Sequence, residues 1–153
     1  MASPIQTPVT GAEHAPADEP FAALVGFYRA FNGRDLALME QNWDAGEDVS
    51  MDNPLGGIRR GWTEIRAVYE RIFGAQASVH VEFHDYTLHR IGDVVLAIGR
   101  ERGRLERPGG VALDLAIRTS RVFRRTDGSW RQFHHHGSID SRELLTAYQD
   151  AVR

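Results

Sequence analysis

The chain has 153 residues, of which 42% are hydrophobic and 25% are charged, a balance typical of one globular domain. Its net charge of −3 indicates neither a nucleic-acid partner nor an anionic membrane surface. The absence of cysteine excludes disulfides, thiolate nucleophiles and Cys-ligated metal sites. The sequence has no apolar run long enough to span a membrane and no signal-peptide pattern, so a cytoplasmic protein is expected.

The first part of the chain is expected to be helical after an irregular start. Residues 1–17 are rich in Pro, Ala and Thr without apolar periodicity, which predicts a flexible arm ahead of a single domain over residues 18–153. The alternative is that this arm packs on a partner subunit. Asp18 is expected to cap a first helix, whose apolar residues recur at helical spacing up to Phe31. Asp35 is expected to cap a second, short helix.

A short strand, a third helix and a group of long strands follow. The stretch "VSMDNP" predicts a strand that Pro54 ends, and apolar residues then recur at helical spacing over residues 62–73. Beyond this point the apolar period changes to two, which predicts four long strands at residues 79–90, 93–106, 111–125 and 129–139. Tight turns between these strands indicate an antiparallel meander. Asp140 and Glu143 form a plausible capping pair for a C-terminal helix.

Helices and strands that are segregated along the chain indicate an α+β domain. We expect the helices to pack on the concave face of a curved antiparallel sheet. Such an arrangement leaves a conical cavity open at one end, where a small molecule can bind.

Three segments of the chain resemble the nuclear transport factor 2-like superfamily. They are "YRAFNGRDLALM", "VSMDNPLGGIRRGWTEIRAVYERIF" and "SRVFRRTDGSWRQFHHHGS". The superfamily includes SnoaL-like cyclases, ketosteroid isomerase and the association domain of calcium/calmodulin-dependent protein kinase II, to which the last segment is especially similar. The resemblance implies a cystatin-like cone and a homodimer formed through the sheet. Because the superfamily contains enzymes, binding modules and dimerisation domains, the fold does not settle the function.

Two arginines are candidates for ligand binding inside the cone. Strand alternation places Arg100 and Arg121 on the inner face, and both match cavity arginines of the kinase association domain, whose third arginine corresponds to Gly137. A guanidinium group has the planar geometry that suits a carboxylate, so a small organic anion is the expected ligand. The alternative is that both arginines bond to Asp52, Glu101 or backbone carbonyls.

The three consecutive histidines cannot converge on one point, because neighbouring strand residues face opposite sides of a sheet. His134 and His136 are expected on the outer face, where the dimer would form. They lack a third ligand, so no metal or other cofactor is expected. His135 is expected to face the cavity as a candidate acid/base, or as a hydrogen-bonded core residue. The residues expected to position the ligand beside it are Tyr28, Trp43, Asn53 and Trp62.

The mechanism of ketosteroid isomerase is disfavoured by three departures from its pattern. The position of its catalytic base is occupied here by Asn53, and Asp52 lies one residue earlier on the opposite face. The position of its oxyanion-binding tyrosine is Phe27, with Tyr28 one step away. Its second oxyanion donor, an acid, would fall at residues 119–121, where no acid exists. A shift in strand register would restore Asp52 to the cavity.

Three functions therefore remain open from the sequence. The first is a small-molecule-binding domain that acts as a homodimer. The second is a cofactor-independent cyclase, isomerase or dehydratase that uses His135 or Asp52 as acid/base. The third is an oligomerisation module without a ligand.

Overall fold

The computed structural model describes residues 3–110 and 112–153. It confirms the α+β class, with helices packed against a curved, open sheet. The elements in chain order are α1 (Pro20–Asn32), α2 (Leu36–Asn42), β1 (Ser50–Asp52), β2 (Arg59–Arg60), α3 (Gly61–Gly74), β3 (Ser78–Ile91), β4 (Val94–Glu106), β5 (Leu113–Thr126), β6 (Ser129–Ser138) and α4 (Arg142–Ala151).

The sheet has the strand order β2-β1-β6-β5-β4-β3. Strands β3 to β6 form the expected antiparallel meander. Strand β1 lies on the other side of β6 and runs parallel to it, with Met51 opposite His135. This parallel pairing was not predicted. It brings the loop after β1 close to the C-terminal end of β6.

The helix starts follow the expected capping chemistry, with small shifts along the chain. The Asp35 carboxylate accepts a hydrogen bond from the backbone N–H of Leu38 at 3.0 Å, as predicted for α2. Helix α1 begins with Pro20 after Glu19, one residue later than an Asp18 cap would place it. Helix α4 is capped by Ser141 rather than by Asp140.

The core lies between the helices and the concave face of the sheet, and aromatic residues dominate its helical side. The rings of Phe27 and Phe31 in α1 stack with centroids 5.8 Å apart. Tyr69 of α3 contacts both rings, at 6.3 and 6.5 Å. No helix in the described part of the chain has the length and apolar character needed to cross a membrane.

Strand β4 has the opposite phase to the one expected. Its buried side chains include Val95, Ala97 and Glu101, whereas Arg100 is exposed on the convex face. Two inward positions of β4 are glycines, because β3 approaches too closely for a side chain: a Cβ on Gly103 would overlap the backbone of His80. Because glycine has no apolar side chain, the inward positions of β4 do not stand out as apolar in the sequence. The period-two pattern therefore placed Arg100 on the wrong face.

A β-bulge in β6 changes the face on which its residues lie. His134 pairs with Val122, but Gln132 pairs with Phe123, so Phe133 is an extra residue in the ladder. Gln132 and His135 are consequently both buried on the inner side. Simple alternation counted back from His135 would instead place Gln132 on the outer face.

Part of the segment predicted to be a flexible arm lies along the edge strand β3, with bridges at Ile5 and Val9, while residues 1–2 lie outside the described residues. Val9 exchanges two backbone hydrogen bonds of 2.9 Å with Phe83, and its side chain is fully buried. The Arg29 side chain of α1 donates hydrogen bonds to the carbonyl oxygens of Gly11 and Glu13. The segment therefore covers backbone groups that an edge strand would otherwise expose.

Candidate functional site

The candidate site is a cavity of about 30 Å³ on the concave side of the sheet. This volume can hold about one or two water molecules. Helices α1 and α3, the loop after β1, and Tyr148 of α4 enclose it. Most of the lining is apolar, and its polar residues are Asn53, Glu101, Arg121 and His135, together with the hydroxyl-bearing Tyr69 and Tyr148.

Arg121 is the most completely buried charge of the molecule that the structure describes, with 1% of its surface exposed. Its guanidinium group donates hydrogen bonds to the Glu101 carboxylate at 2.6 Å, to the Gln132 side-chain oxygen at 2.8 Å and to the Tyr28 hydroxyl at 3.3 Å. It also lies over the ring of Phe27, 3.4 Å from the centroid. Arg121 is therefore held entirely by protein groups.

The partners of Arg121 are themselves held in place. The Tyr28 hydroxyl donates to the same Glu101 oxygen at 2.8 Å. Burial, and then the negative charge of Glu101, raise the pKa of Tyr28 well above its ordinary value, so this hydroxyl remains a donor at neutral pH. The Gln132 amide nitrogen donates to Asn42 at 3.1 Å, which directs the amide oxygen of Gln132 toward Arg121. The result is a buried polar network without net charge.

His135 also lies at the cavity wall, but it differs from Arg121 in its hydrogen bonding and its charge. Only 5% of its surface is exposed, and neither ring nitrogen has a hydrogen-bond partner within the described residues. Burial, followed by the positive charge of Arg121, lowers the pKa of His135 well below its ordinary value. The imidazole is therefore neutral at pH 7, with one nitrogen able to donate and the other able to accept.

Three other buried side-chain groups share this lack of partners within the described residues, namely the Tyr69 hydroxyl, the Trp43 indole nitrogen and the Thr119 hydroxyl. The Tyr69 hydroxyl lines the cavity, and burial raises its pKa to about 12, so it stays protonated. The indole nitrogen of Trp43 is also unpaired within residues 3–110 and 112–153, and its ring lies 6.4 Å from that of Tyr69. Buried donors of this kind usually bond to water or to a ligand.

The structure brings some of the expected site residues to the cavity. Arg121, His135 and Asn53 line it. Tyr28 lies behind it in the Arg121 network, and Trp43 packs beside Tyr69 without forming part of the wall. Gln132 was missed, because the bulge at Phe133 leaves no local signal in the sequence.

Three other expected site residues lie elsewhere. Arg100 is 53% exposed on the convex face and bonds to Asp85 at 3.3 Å, so its predicted place in the cavity is wrong. Trp62 is on the surface of α3, where its indole N–H donates to Glu40. Asp52 pairs in register with His136 on the outer face, so the strand has not shifted and Asp52 cannot act on a ligand in the cavity.

The outer histidines make local contacts along β1 and β6. His134 lies 2.8 Å from the Ser50 hydroxyl, and His136 lies 3.8 Å from the Asp52 carboxylate. Across residues 3–110 and 112–153, no group of three or more metal-ligating side chains comes together.

Two elements that line the cavity, the loop after β1 and α4, contact each other, and we call their junction the cavity mouth. The Gln149 side chain of α4 donates to the Leu55 carbonyl oxygen at 2.9 Å. Near the C-terminal end of β6, a Cβ on Gly137 would lie 2.9 Å from Pro54 and 3.2 Å from the His135 ring. Glycine at this position therefore lets the loop after β1 close over His135.

Comparisons with known proteins agree with this architecture. The model of the SnoaL-like domain family matches residues 22–141. The chain therefore belongs to the SnoaL-like domain family. A search of functionally curated proteins gave no match.

Solved structures extend the comparison. A protein from Thiobacillus denitrificans, a proposed calcium/calmodulin-dependent protein kinase type II association domain, is 28% identical, with 84% of this chain and 100% of that chain covered and a TM-score of 0.71. A nuclear transport factor 2-like protein from Streptomyces avermitilis, a proposed dehydratase, is 22% identical, with coverages of 82% and 96% and a TM-score of 0.72. A protein with a cystatin-like fold from Caulobacter vibrioides is 18% identical, with coverages of 83% and 91% and a TM-score of 0.62. The last two similarities, each below 25% identity, show the fold alone.

Proposed function

We propose that this domain binds a small, uncharged organic molecule in the cavity, held by a hydrogen bond to His135. The observation that carries the proposal is the pair of unpartnered nitrogens on a buried, neutral imidazole facing a mostly apolar cavity. A buried polar group without a partner costs about 1–3 kcal/mol, and a ligand with one hydroxyl or carbonyl group would recover part of that cost.

Charge balance favours an uncharged ligand over the organic anion expected from the sequence. Arg121 is already compensated by Glu101, and Arg100 lies outside the cavity. A carboxylate in the cavity would add a second negative charge beside Glu101 without a free cation to offset it. Burying such an uncompensated charge is strongly unfavourable.

Binding requires the mouth of the cavity to open, because the enclosed volume is too small for an organic molecule. The Gln149 to Leu55 hydrogen bond links α4 to the loop after β1, so these two elements are expected to move together. Tyr148 of α4 would then leave the cavity wall and make room for the ligand.

A matched pair of ligands tests this proposal. We would screen primary amides against the corresponding carboxylic acids by thermal shift and NMR, and we expect the amides to bind more tightly. His135→Leu is expected to abolish binding. His136→Leu, which changes the neighbouring residue on the outer face, is the matched control and is expected to bind normally. Tighter binding of the acids, or equal binding by both variants, would contradict the proposal.

A second candidate function is cofactor-independent catalysis in the same cavity. It is favoured by the neutral state of His135, which can accept a proton from a bound substrate. The proposed dehydratase function of the Streptomyces avermitilis relative suggests dehydration as one reaction to assay. Catalysis through His135 predicts a kcat that falls at least about 100-fold in His135→Gln with little change in KM. Turnover that survives this substitution would exclude it.

We further propose that the domain forms a homodimer through the convex face of the sheet. Ile98 is a large apolar residue on that face and is 43% exposed. The relative from Thiobacillus denitrificans is itself a proposed association domain. Ile98→Glu should shift the solution mass from two chains to one, whereas Ile91→Glu, at a more exposed site at the end of β3, should not. A wild-type mass of one chain would contradict the dimer.

A dimer that binds none of the screened molecules would favour a pure oligomerisation module.

A further inference from the structure

Three arginines lie together on the convex face, near the point where β6 ends. Arg100 of β4 is directly opposite Arg118 of β5 in the strand pairing, and Arg102 is two residues further along the same face of β4. Like charges directly opposite each other on neighbouring strands destabilise a sheet. This arrangement is therefore unfavourable unless another group offsets the positive charge.

The protein offsets that charge incompletely. Arg100 bonds to Asp85 at 3.3 Å, and Arg118 bonds to Asp140 at 2.7 Å, each pair being largely exposed. Arg102 makes no ion pair with any residue that the structure describes.

The acid nearest to Arg102 in the strand pairing is engaged elsewhere. Glu82 lies opposite Arg102, but its carboxylate contacts His80 at 3.4 Å and His84 at 3.5 Å. The Arg102 side chain instead lines a cleft on the β5 side of its strand. The charge of Arg102 is therefore not offset by Glu82.

That cleft has a volume of about 330 Å³. It exists because β6 stops at Ser138 and because the residue opposite Arg102 is the small Ala116. The first turn of α4 forms its far wall. Two acids also line the cleft, Glu101 and Asp140, but their charges are already paired with Arg121 and Arg118.

We propose that this cleft binds the oxoanion group of a small molecule, a phosphate or a carboxylate, between Arg102 and the Arg100–Arg118 pair. A guanidinium fork binds either oxoanion through two parallel charge-assisted hydrogen bonds. The cleft shares Glu101 and Ile117 with the wall of the His135 cavity, but its arginines lie on the convex face and it takes a ligand of different charge. It also gives Arg100 a binding role on the face opposite to the one expected from the sequence. Because Arg102 lies beyond Arg100 as seen from Ile98, a dimer centred on Ile98 would leave the cleft at the rim of its interface.

The test is a titration with inorganic phosphate and, in a second arm, with succinate, at constant ionic strength. Binding is followed by NMR shifts of backbone amides in β4 and β5. Binding of either anion at this face supports the proposal, and the stronger of the two identifies the class of oxoanion. Arg102→Ala is expected to weaken binding about 10-fold, the effect of losing one charge-assisted contact.

Arg104→Ala is the matched control, because Arg104 lies on the same strand and face but outside the cleft, 3.9 Å from Asp114. It is expected to leave the affinity unchanged. Equal weakening by both variants would show a diffuse effect of surface charge and would overturn the proposal. So would the absence of shifts with both anions in the wild type. Both substitutions are at exposed positions, and circular dichroism checks that each variant is folded.

Discussion

The two faces of the sheet use arginine in opposite ways. On the concave face Arg121 is buried and donates to three protein acceptors, so its charge is fully compensated. On the convex face Arg100, Arg102 and Arg118 are exposed and only partly paired. Burial makes an unpaired charge prohibitively costly, whereas water tolerates one on the surface. A buried arginine on the concave face therefore indicates a structural role. A ligand-binding group on that face is better recognised by its lack of hydrogen-bond partners within the protein.

The same comparison separates Arg121 from its neighbour His135. Both are buried at the cavity wall, but the arginine has a complete set of partners and the histidine has none within the described residues. Because neutral imidazole is much less costly to leave unpaired than a charge, His135 can remain available for a ligand.

The largest expected effect comes from removing the partner of the buried arginine. Glu101→Gln leaves Arg121 as an uncompensated buried charge and should reduce the free energy of unfolding by about 3–5 kcal/mol. Asp85→Asn removes the partner of Arg100 on the convex face and should cost about 1 kcal/mol or less. Urea denaturation of the two variants measures the difference. Similar losses in both would contradict the contrast between the two faces.

A double substitution sharpens this result. Glu101→Gln combined with Arg121→Met removes both buried charges and should restore most of the stability lost by Glu101→Gln alone. If the double variant is less stable than the single one, then Arg121 contributes packing or hydrogen bonds that outweigh its desolvation.

An intermediate effect is expected at His135. His135→Leu removes an unpartnered polar group from the interior and should raise the free energy of unfolding by about 1–2 kcal/mol in the absence of ligand, while binding is lost. Thermal and urea denaturation provide the measurement. A destabilised His135→Leu protein would show that the imidazole already has partners in solution.

The pH dependence of stability gives an independent test of the same residue. The unfolded chain takes up a proton at His135 near pH 6.5, whereas the folded protein does so only at much lower pH. The stability due to this residue is therefore complete above pH 6.5 and falls as the pH drops below it, by up to about 1.4 kcal/mol per pH unit. The wild type should show this slope relative to His135→Leu. Parallel pH profiles for the two proteins would contradict a depressed pKa.

The smallest effect is expected at the cavity mouth. Gln149→Leu removes the hydrogen bond from α4 to Leu55 and should lower the free energy of unfolding by about 1 kcal/mol. The same change should increase the association rate of a cavity ligand several-fold, because the mouth opens more often. Stopped-flow binding measures that rate. A rate equal to that of the wild type would show that the ligand enters by another path.

Much of this fold was predictable because its signals are local. Helical spacing, turn residues and period-two strands gave the order of the elements, and alternation in β5 correctly placed Arg121 inside. What failed depends on contacts between strands. The inward glycines of β4 reversed the apparent face of Arg100, and the extra residue Phe133 hid Gln132. The bulge leaves no pattern within a single strand, and the glycines of β4 do not by themselves show which neighbour approaches them.

The N-terminal segment illustrates a related limit. Its composition suggested an arm without structure, yet Val9 and Ile5 pair with the edge of β3. Such a short segment has too little apolar content to signal burial by itself. Its position depends on the unpaired backbone groups that the completed sheet offers.

The most direct test of the central claim is ¹⁵N NMR of the His135 imidazole, titrated by pH and then by an uncharged ligand. We expect the ring to remain neutral from pH 5 to 8 and one of its nitrogens to shift when an amide binds in the cavity. An imidazole that titrates with a pKa near 6.5, or one that is unaffected by every ligand that binds the protein, would contradict the assignment of His135 as the ligand-binding group.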